Sequence, residues 1–259
     1  MTATLKSHGI GATLVLTLSH PPTRNALCAE VCTAAVEACI AADSNPDVRT
    51  IILTGEGAHF SSGAEPQQLL AMRHPATPSP AGYLDALQGW IEAMHSCSKP
   101  VIVAIEGTCT GAGFALALAA DFLVVASDAS LGMQQARLGL TPEGGGSWLL
   151  LRALPRAAAL QLLMCGDAIS AQRLQQLGLA NLIAAPGQAL AQALALAERL
   201  NDQAPNVLAG IKELANGAEE SSLAIHLRSE RDQFQRSLRH DNAGEGLQAA
   251  LEQRPPRFR

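Results

Sequence analysis

The chain has 259 residues, enough for one large domain or two small ones with an ample buried core. Its formal net charge of −5 gives no general attraction to nucleic acid, so a polyanionic ligand has to be met by local positive groups. Hydrophobic residues make up 48% of the chain but aromatics only 3%, which predicts a core of small aliphatic side chains and closely packed helices.

In chain order, the polar residues 1–11 lack the apolar stretch of a secretory signal. Strand-like segments follow at 14–18, 49–53, 101–105, 122–125 and 179–183. Helical patterns lie between them at 26–43, 81–97 and 112–120. This alternation predicts an α/β fold with a parallel sheet and right-handed crossovers. Residues 73–80 are rich in Pro, His and Thr and read as an exposed loop. From Pro186 the pattern is helical, with candidates at 189–200, 205–215, 221–238 and 244–253. The Ala/Leu run at 184–197 is broken by Pro186, Gly187 and glutamines, so no membrane span is expected. The six cysteines show no metal-type spacing. Cys28, Cys32 and Cys39 fall on one helix face as core residues, and a reduced, cytoplasmic setting is the expectation.

Two stretches carry chemistry. In the first, the strand 101–105 runs through Glu106-Gly107-Thr108-Cys109-Thr110-Gly111-Ala112-Gly113 into a helix. Small residues let a ligand approach the backbone, and a helix start presents unpaired N–H groups. The same residues would also serve close packing. In the second, His59-Phe60-Ser61-Ser62-Gly63-Ala64-Glu65 follows a strand and precedes a helix-like segment at 67–72. Two backbone donors aimed at one carbonyl oxygen make an oxyanion hole.

Phe60 to Glu65 resembles the F-[SA]-[SA]-G-A-D motif of the crotonase (enoyl-CoA hydratase/isomerase) superfamily. Ile105 to Asp121 resembles its (V/I)-N-G-x-x-x-G-G-G-x-x-L-x-x-x-x-D motif, and further similarity at 21–27, 138–146 and 166–179 extends it over nearly the whole chain. The resemblance implies a crotonase-like spiral of ββα turns over residues 1–185. It implies a helical trimerisation region over 186–259, giving a homotrimer or a dimer of trimers. It implies an acyl-CoA thioester substrate, with coenzyme A as part of the substrate rather than a cofactor. The oxyanion donors would be the N–H groups of Ala64 and Ala112, the latter at a usual Gly position.

The two glutamates of typical hydratases fall on Ala115 and Gln135, neither of which exchanges protons at neutral pH. The usual two-carboxylate hydration is therefore not expected. Leu138 to Gly146 resembles a segment of Δ3,Δ2-enoyl-CoA isomerases and phenylacetate-pathway isomerases in which an acidic residue is the base. Here that residue is Glu143. A single carboxylate suits a 1,3-proton shift. The plainer alternative is that Glu143 complements a helix dipole. Leu138, Leu140 and Trp148 are expected to keep its site dry. A hydratase or oxepin-CoA hydrolase-type enzyme, or a non-catalytic acyl-CoA binder, are the rival readings.

The resemblance further places Arg24, Ser62, Ala64 and Gly111 near CoA, and Gln135 can hydrogen-bond ligand or water. Arg254, Arg257 and Arg259 cluster where relatives often offer basic residues to CoA, although Ala250 and Gln253 stand where some hydratases have Phe and Lys. Glu65 is expected to cap or salt-bridge the next helix. Glu106, Asp121 and His59 are read as structural, and no metal site is expected.

Overall fold

The apolar runs assemble into one six-stranded sheet in a computed structural model that describes residues 3–74, 81–218 and 221–259. Its strands are β1 (Thr4–Ile10), β2 (Thr13–Ser19), β3 (Thr50–Gly55), β4 (Val101–Ile105), β6 (Phe122–Ala126) and β9 (Leu182–Ala184), in the order β1-β2-β3-β4-β6-β9. Only β1 runs antiparallel to its neighbour, and the rest are parallel. A second, three-stranded sheet is formed by β5 (Thr108–Thr110), β7 (Ser130–Gly132) and β8 (Ile169–Ser170). All five residues of β4 are buried, as expected for a parallel strand covered on both faces.

Helices fill the crossovers. Helix α1 (Ala29–Ser44) buries Val31, Cys32, Ala35, Cys39 and Ala42, one stripe at helical spacing. Burial pushes the Cys32 and Cys39 thiols up to about 12, so they act as small core hydrophobes. Against α1 lies α3 (Ala81–Ser96), which buries Tyr83, Leu87, Trp90 and Met94 at i, i+4, i+7 and i+11. Truncating a fully buried residue such as Leu87 to Ala costs about 2–5 kcal/mol in such a core. The loop read at 73–80 is described only as far as Arg73 and His74, both exposed; 75–80 lie outside the described residues.

The opposite face of the sheet is covered by α8 (Ala189–Asn201). Its Ala189, Ala193 and Ala197, spaced four apart, sit on Val15, Ile52, Ile102, Ala104 and Val124. This is where the alanine-rich composition matters, because methyl-sized knobs let the helix lie close on a flat sheet face. Three more helices follow: α9 (Pro205–Ala218), α10 (Leu223–Leu238) and α11 (Asp241–Leu251). Lys212 on α9 ties them to the core, donating to the Met94 carbonyl at 2.9 Å and to Asp121 Oδ2 at 2.7 Å. No described helix is long and apolar enough to cross a membrane.

The expected β/α framework is present, with differences at its edges. β1 lies in the stretch read only as polar, and β9 begins three residues later than the strand read at 179–183. The smaller sheet and the helices α5 (Gly146–Ala153), α6 (Arg156–Leu160) and α7 (Ala171–Gln176) were not anticipated.

Candidate active site

After β3 the chain turns back at Gly55–His59 and lays residues 60–64 alongside 108–112. Ser61 N–H donates to the Thr108 carbonyl at 3.1 Å, and Thr110 N–H returns a bond to the Ser61 carbonyl at 3.0 Å. Gly111 N–H donates to the Gly132 carbonyl at 2.9 Å, which brings β7 into the same layer. The approach of the two segments requires glycine: a Cβ on Gly63 would stand 2.9 Å from the Ala112 nitrogen, and one on Gly113 would stand 2.8 Å from Ser61 Cβ. Gly111 caps α4 (Ala112–Leu118), so the Ala112 N–H is the first of that helix and has no intrahelical acceptor. None of the described turn and cap hydrogen bonds uses the N–H of Ala64 or Ala112.

Residue Asn25 anchors this construction from the other side. It is buried in a left-handed conformation at φ 55°, which Asn tolerates better than most residues. Its side chain accepts from His20 N–H at 2.9 Å and donates to the carbonyls of Glu56 and His59 at 3.0 and 2.7 Å. Its own carbonyl accepts from Ser61 Oγ at 2.8 Å. The neighbouring Arg24, also left-handed, accepts from Ser62 N–H at 2.9 Å.

A cavity of about 590 Å³ opens over these segments, lined by Arg24, Ser62, Ala64, Gly111, Gln135 and Glu143 among others. Ala112 itself is wholly buried and is not one of the residues that line this cavity; its neighbour Gly111 is. A second cavity of about 470 Å³ adjoins it through Leu138, Leu140 and Glu143, and continues past Leu69, Leu70, Met72, Tyr83 and Leu84. Glu143 therefore stands at the junction. Burial holds its carboxyl above the usual carboxylate range, opposed by the Gln135 amide, whose Nε2 lies 3.5 Å from Glu143 Oε1. The Gln135 Oε1 is buried and has no partner among the described residues.

Helix α5 starts at Gly146 with Gly145 as its cap, and no side chain caps it. Glu143 lies ahead of this helix, and its carboxylate makes no capping bond to it. The walls that keep the neighbourhood dry also differ from expectation. A Cβ on the adjacent Gly144 would touch Leu87 and Ala115, and one on Gly146 would meet Met133. Leu138 and Leu140 line the cavities but are themselves exposed, so they do not seal the site as expected. Trp148 is 47% exposed, on a different surface, with the Arg152 guanidinium 4.2 Å over its ring. The reason is helical phase: α5 buries Gly146 and Leu150, and Trp148 is about 200° around the helix from each.

The other acidic and basic residues resolve into structural parts. Glu106 accepts from Gly187 N–H at 2.9 Å and Ala189 N–H at 2.8 Å, so it caps α8. Asp121 accepts from Val101 N–H at 2.7 Å, and His59 Nδ1 accepts from Thr108 N–H at 3.1 Å. Glu65 occupies the cap position of α2 (Pro66–Met72) but its carboxylate makes no capping bond; it lines the first cavity. Arg254 bridges Glu245 and Glu252, and Arg259 folds back on Asn242. Arg254, Arg257, Arg259, Glu245 and Asn242 line a separate cavity of about 870 Å³ that shares no lining residue with the other two. Among the described residues no group of His, Cys, Asp and Glu is arranged to hold a metal ion.

Several lining residues were not singled out from the sequence, Arg137 among them, and Tyr83 was read only as the end of a loop, 73–83, that helps build the acyl pocket. Arg137 lies on the first cavity, paired with Asp167 at 2.6 Å, two residues after Gln135 in a short 3₁₀ turn. Tyr83 lies on the second. Its helical phase with Leu87, Trp90 and Met94 was readable, and a phenol in that apolar stripe was the available signal.

Comparison with known proteins points to one family. A family model described as enoyl-CoA hydratase/isomerase matches residues 9–259. The chain is 32% identical to a probable enoyl-CoA hydratase of Bacillus subtilis (strain 168), over 95% of this chain and 94% of that one. It is 30% identical to the 2,3-dehydroadipyl-CoA hydratase of Escherichia coli (strain K12), with the same coverage of each. The crystal structure of an enoyl-CoA hydratase from Polaromonas sp. JS666 superposes with a TM-score of 0.97 at 50% identity, covering 99% of this chain and 100% of that one.

Proposed function

The chain belongs to the enoyl-CoA hydratase/isomerase family, whose enzymes act on acyl-CoA thioesters, and we propose that it is a double-bond isomerase with Glu143 as its single base. The observation that carries this reading is the position of Glu143, among the described residues the one carboxylate that lines both cavities, while the sequence resemblance puts the two hydratase glutamates at Ala115 and Gln135. In this proposal the thioester oxygen sits between the N–H groups of Ala64 and Ala112. Both are free of turn and cap acceptors, and the second carries the positive end of α4. Arg24 and Ser62 face the CoA part.

Glu143 takes a proton from C2 of a 3-enoyl ester. The electron pair moves into the carbonyl, where the two donors stabilise the enolate, and the same carboxyl returns the proton at C4. The double bond then lies between C2 and C3, with no water consumed. Gln135 serves both states of the base: its Nε2 donates to the carboxylate, and its unpartnered Oε1, after a turn of the amide, accepts from the carboxylic acid.

The names of the relatives favour a second reading, hydration, for which Glu143 would activate the water. A panel of 3-enoyl-, 2-enoyl- and aryl-CoA thioesters followed by mass spectrometry separates the readings. Isomerisation leaves the mass unchanged and moves the double bond. Hydration adds one water. Tight binding without conversion would support a non-catalytic binder and end the isomerase proposal.

We also propose a homotrimer or a dimer of trimers built by the helical region 186–259. Helices α10 and α11 leave Leu223, Phe234, Leu247 and Leu251 more than half exposed, an apolar surface that a neighbouring subunit would cover. Sedimentation velocity at micromolar concentration is expected to give a trimeric or hexameric mass; a monomer would refute this assembly.

A further inference from the structure

The second cavity has apolar walls of Leu69, Leu70, Met72, Leu84 and Pro142, with Arg73, Thr141 and Glu143 also on its lining, and it holds one buried phenol. Tyr83 is only 4% exposed, and its hydroxyl is shut off from solvent with no hydrogen-bond partner among the described residues. Buried hydroxyls are nearly always paired, because an orphan loses its bonds to water and gains none. Nothing in the packing of α3 demands this group: Leu87, Trp90 and Met94 continue the same stripe, and a phenylalanine would fill the space. Tyr83 and Glu143 line this same cavity. Because Glu143 stands where the two cavities meet, Tyr83 lies beyond the carbons at which a proton is exchanged.

We propose that Tyr83 is a specificity-determining residue whose hydroxyl donates to a neutral oxygen (hydroxyl, ketone or ring ether) in the distal acyl chain of the substrate. The inference rests on the acyl-CoA reading and adds the class of acyl group. A neutral oxygen is chosen over a carboxylate because Glu143 would repel a second negative charge nearby; Arg73 on the same cavity acts the other way, and adipyl-CoA in the test weighs the two. The hydroxyl stays protonated throughout the working range because burial and the Glu143 charge both raise its pKa, so it acts as a donor and not as an acid.

The test is binding of saturated esters, which the proposed reaction leaves unchanged. Hexanoyl-CoA, its terminal-hydroxy analogue, its penultimate ketone and adipyl-CoA are titrated calorimetrically against the native protein and Tyr83→Phe. The native protein is expected to bind one of the two neutral oxygenated esters about ten-fold more tightly than hexanoyl-CoA. In Tyr83→Phe that preference should vanish while hexanoyl-CoA binds at least as well, which also shows the variant to be folded. Equal binding of the esters by the native protein, or a preference that survives in Tyr83→Phe, overturns the inference and leaves the acyl-CoA reading standing. A preference for adipyl-CoA overturns it in favour of a carboxylate substrate. Failure of every ester to bind overturns the acyl-CoA reading, and this inference with it.

Discussion

Glu143→Gln is expected to cut turnover by about 10²-fold or more while leaving the affinity for CoA esters nearly unchanged. The substitution keeps the shape of the side chain and removes its basicity. It should also change the pH response in a defined direction. Burial raises the carboxyl above its ordinary range. The acid limb of kcat/KM in the native protein should therefore lie above that of an ordinary glutamate, and the variant should lack that limb. Stability should move the opposite way from activity. Glu143 ionises at its ordinary pKa in the unfolded chain and at a higher one in the folded chain. Between those values the folded state holds the extra proton, so this residue's contribution is fullest below the unfolded value and is lost as pH rises through the folded one. At neutral pH the ionised, poorly solvated carboxylate is a net cost, and the variant's Tm should equal or exceed that of the native protein. Wild-type turnover in Glu143→Gln would reduce the residue to a part of the turn before α5, and the isomerase proposal would go with it.

Different kinds of signal were legible in the sequence to different degrees. The strand 101–105 was found with its ends correct, because five consecutive apolar residues in a strand covered on both faces leave little choice. β1 went unseen for the converse reason. Thr4–Ile10 is an exposed edge whose only apolar residues are Leu5 and Ile10, and antiparallel pairing to β2 makes it a strand. β9 was placed too early because Leu179 and Ala180 belong to the turn that follows α7, where their N–H groups bond back to the Leu174 carbonyl. The neighbouring Asn181 spends its side chain on Leu123 N–H, and the strand begins only after it. The three strands of the smaller sheet have two or three residues each, below the length at which periodicity means anything.

The candidate site divides along the same line. Small-residue turns between strand and helix could be read locally, and Arg24, Ser62, Ala64, Gly111, Gln135 and Glu143 line one cavity. What surrounds Glu143 depends on helices that cross from elsewhere. Leu87 and Tyr83 arrive on α3, and Met133 on the segment after β7, so their proximity has no local signature. The misplacement of Trp148 has the same origin. It is near Glu143 in sequence, but the phase of α5 carries it to another face.

Gly63→Ala is the backbone counterpart of the Glu143 experiment, and Gly57→Ala is its control. Both glycines have almost the same left-handed conformation, φ 77° and 78°. An alanine at either position pays the left-handed penalty of about 1–2 kcal/mol. The surroundings differ. A Cβ at Gly57 meets nothing within 4 Å, whereas one at Gly63 would stand 2.7 Å from the Thr110 carbonyl oxygen and 2.9 Å from the Ala112 nitrogen. Those are backbone atoms, held in place by the ladder between 60–64 and 108–112 and by Leu27 N–H on the Gly63 carbonyl at 2.9 Å. No rotamer change relieves such a contact, so the two segments must separate. Overpacking of this kind typically adds about 1–3 kcal/mol to the conformational cost. Separation also shifts the Ala64 and Ala112 N–H groups relative to each other, and losing one oxyanion donor costs about 10²- to 10³-fold in turnover. Gly63→Ala should therefore lose roughly 2–5 kcal/mol in denaturant unfolding and at least two orders of magnitude in kcat. Gly57→Ala should lose only the smaller stability increment and keep native kcat. If Gly63→Ala remains folded with native turnover, the close approach of the two segments is a packing feature, and the proposed pair of donors is not what activates the thioester.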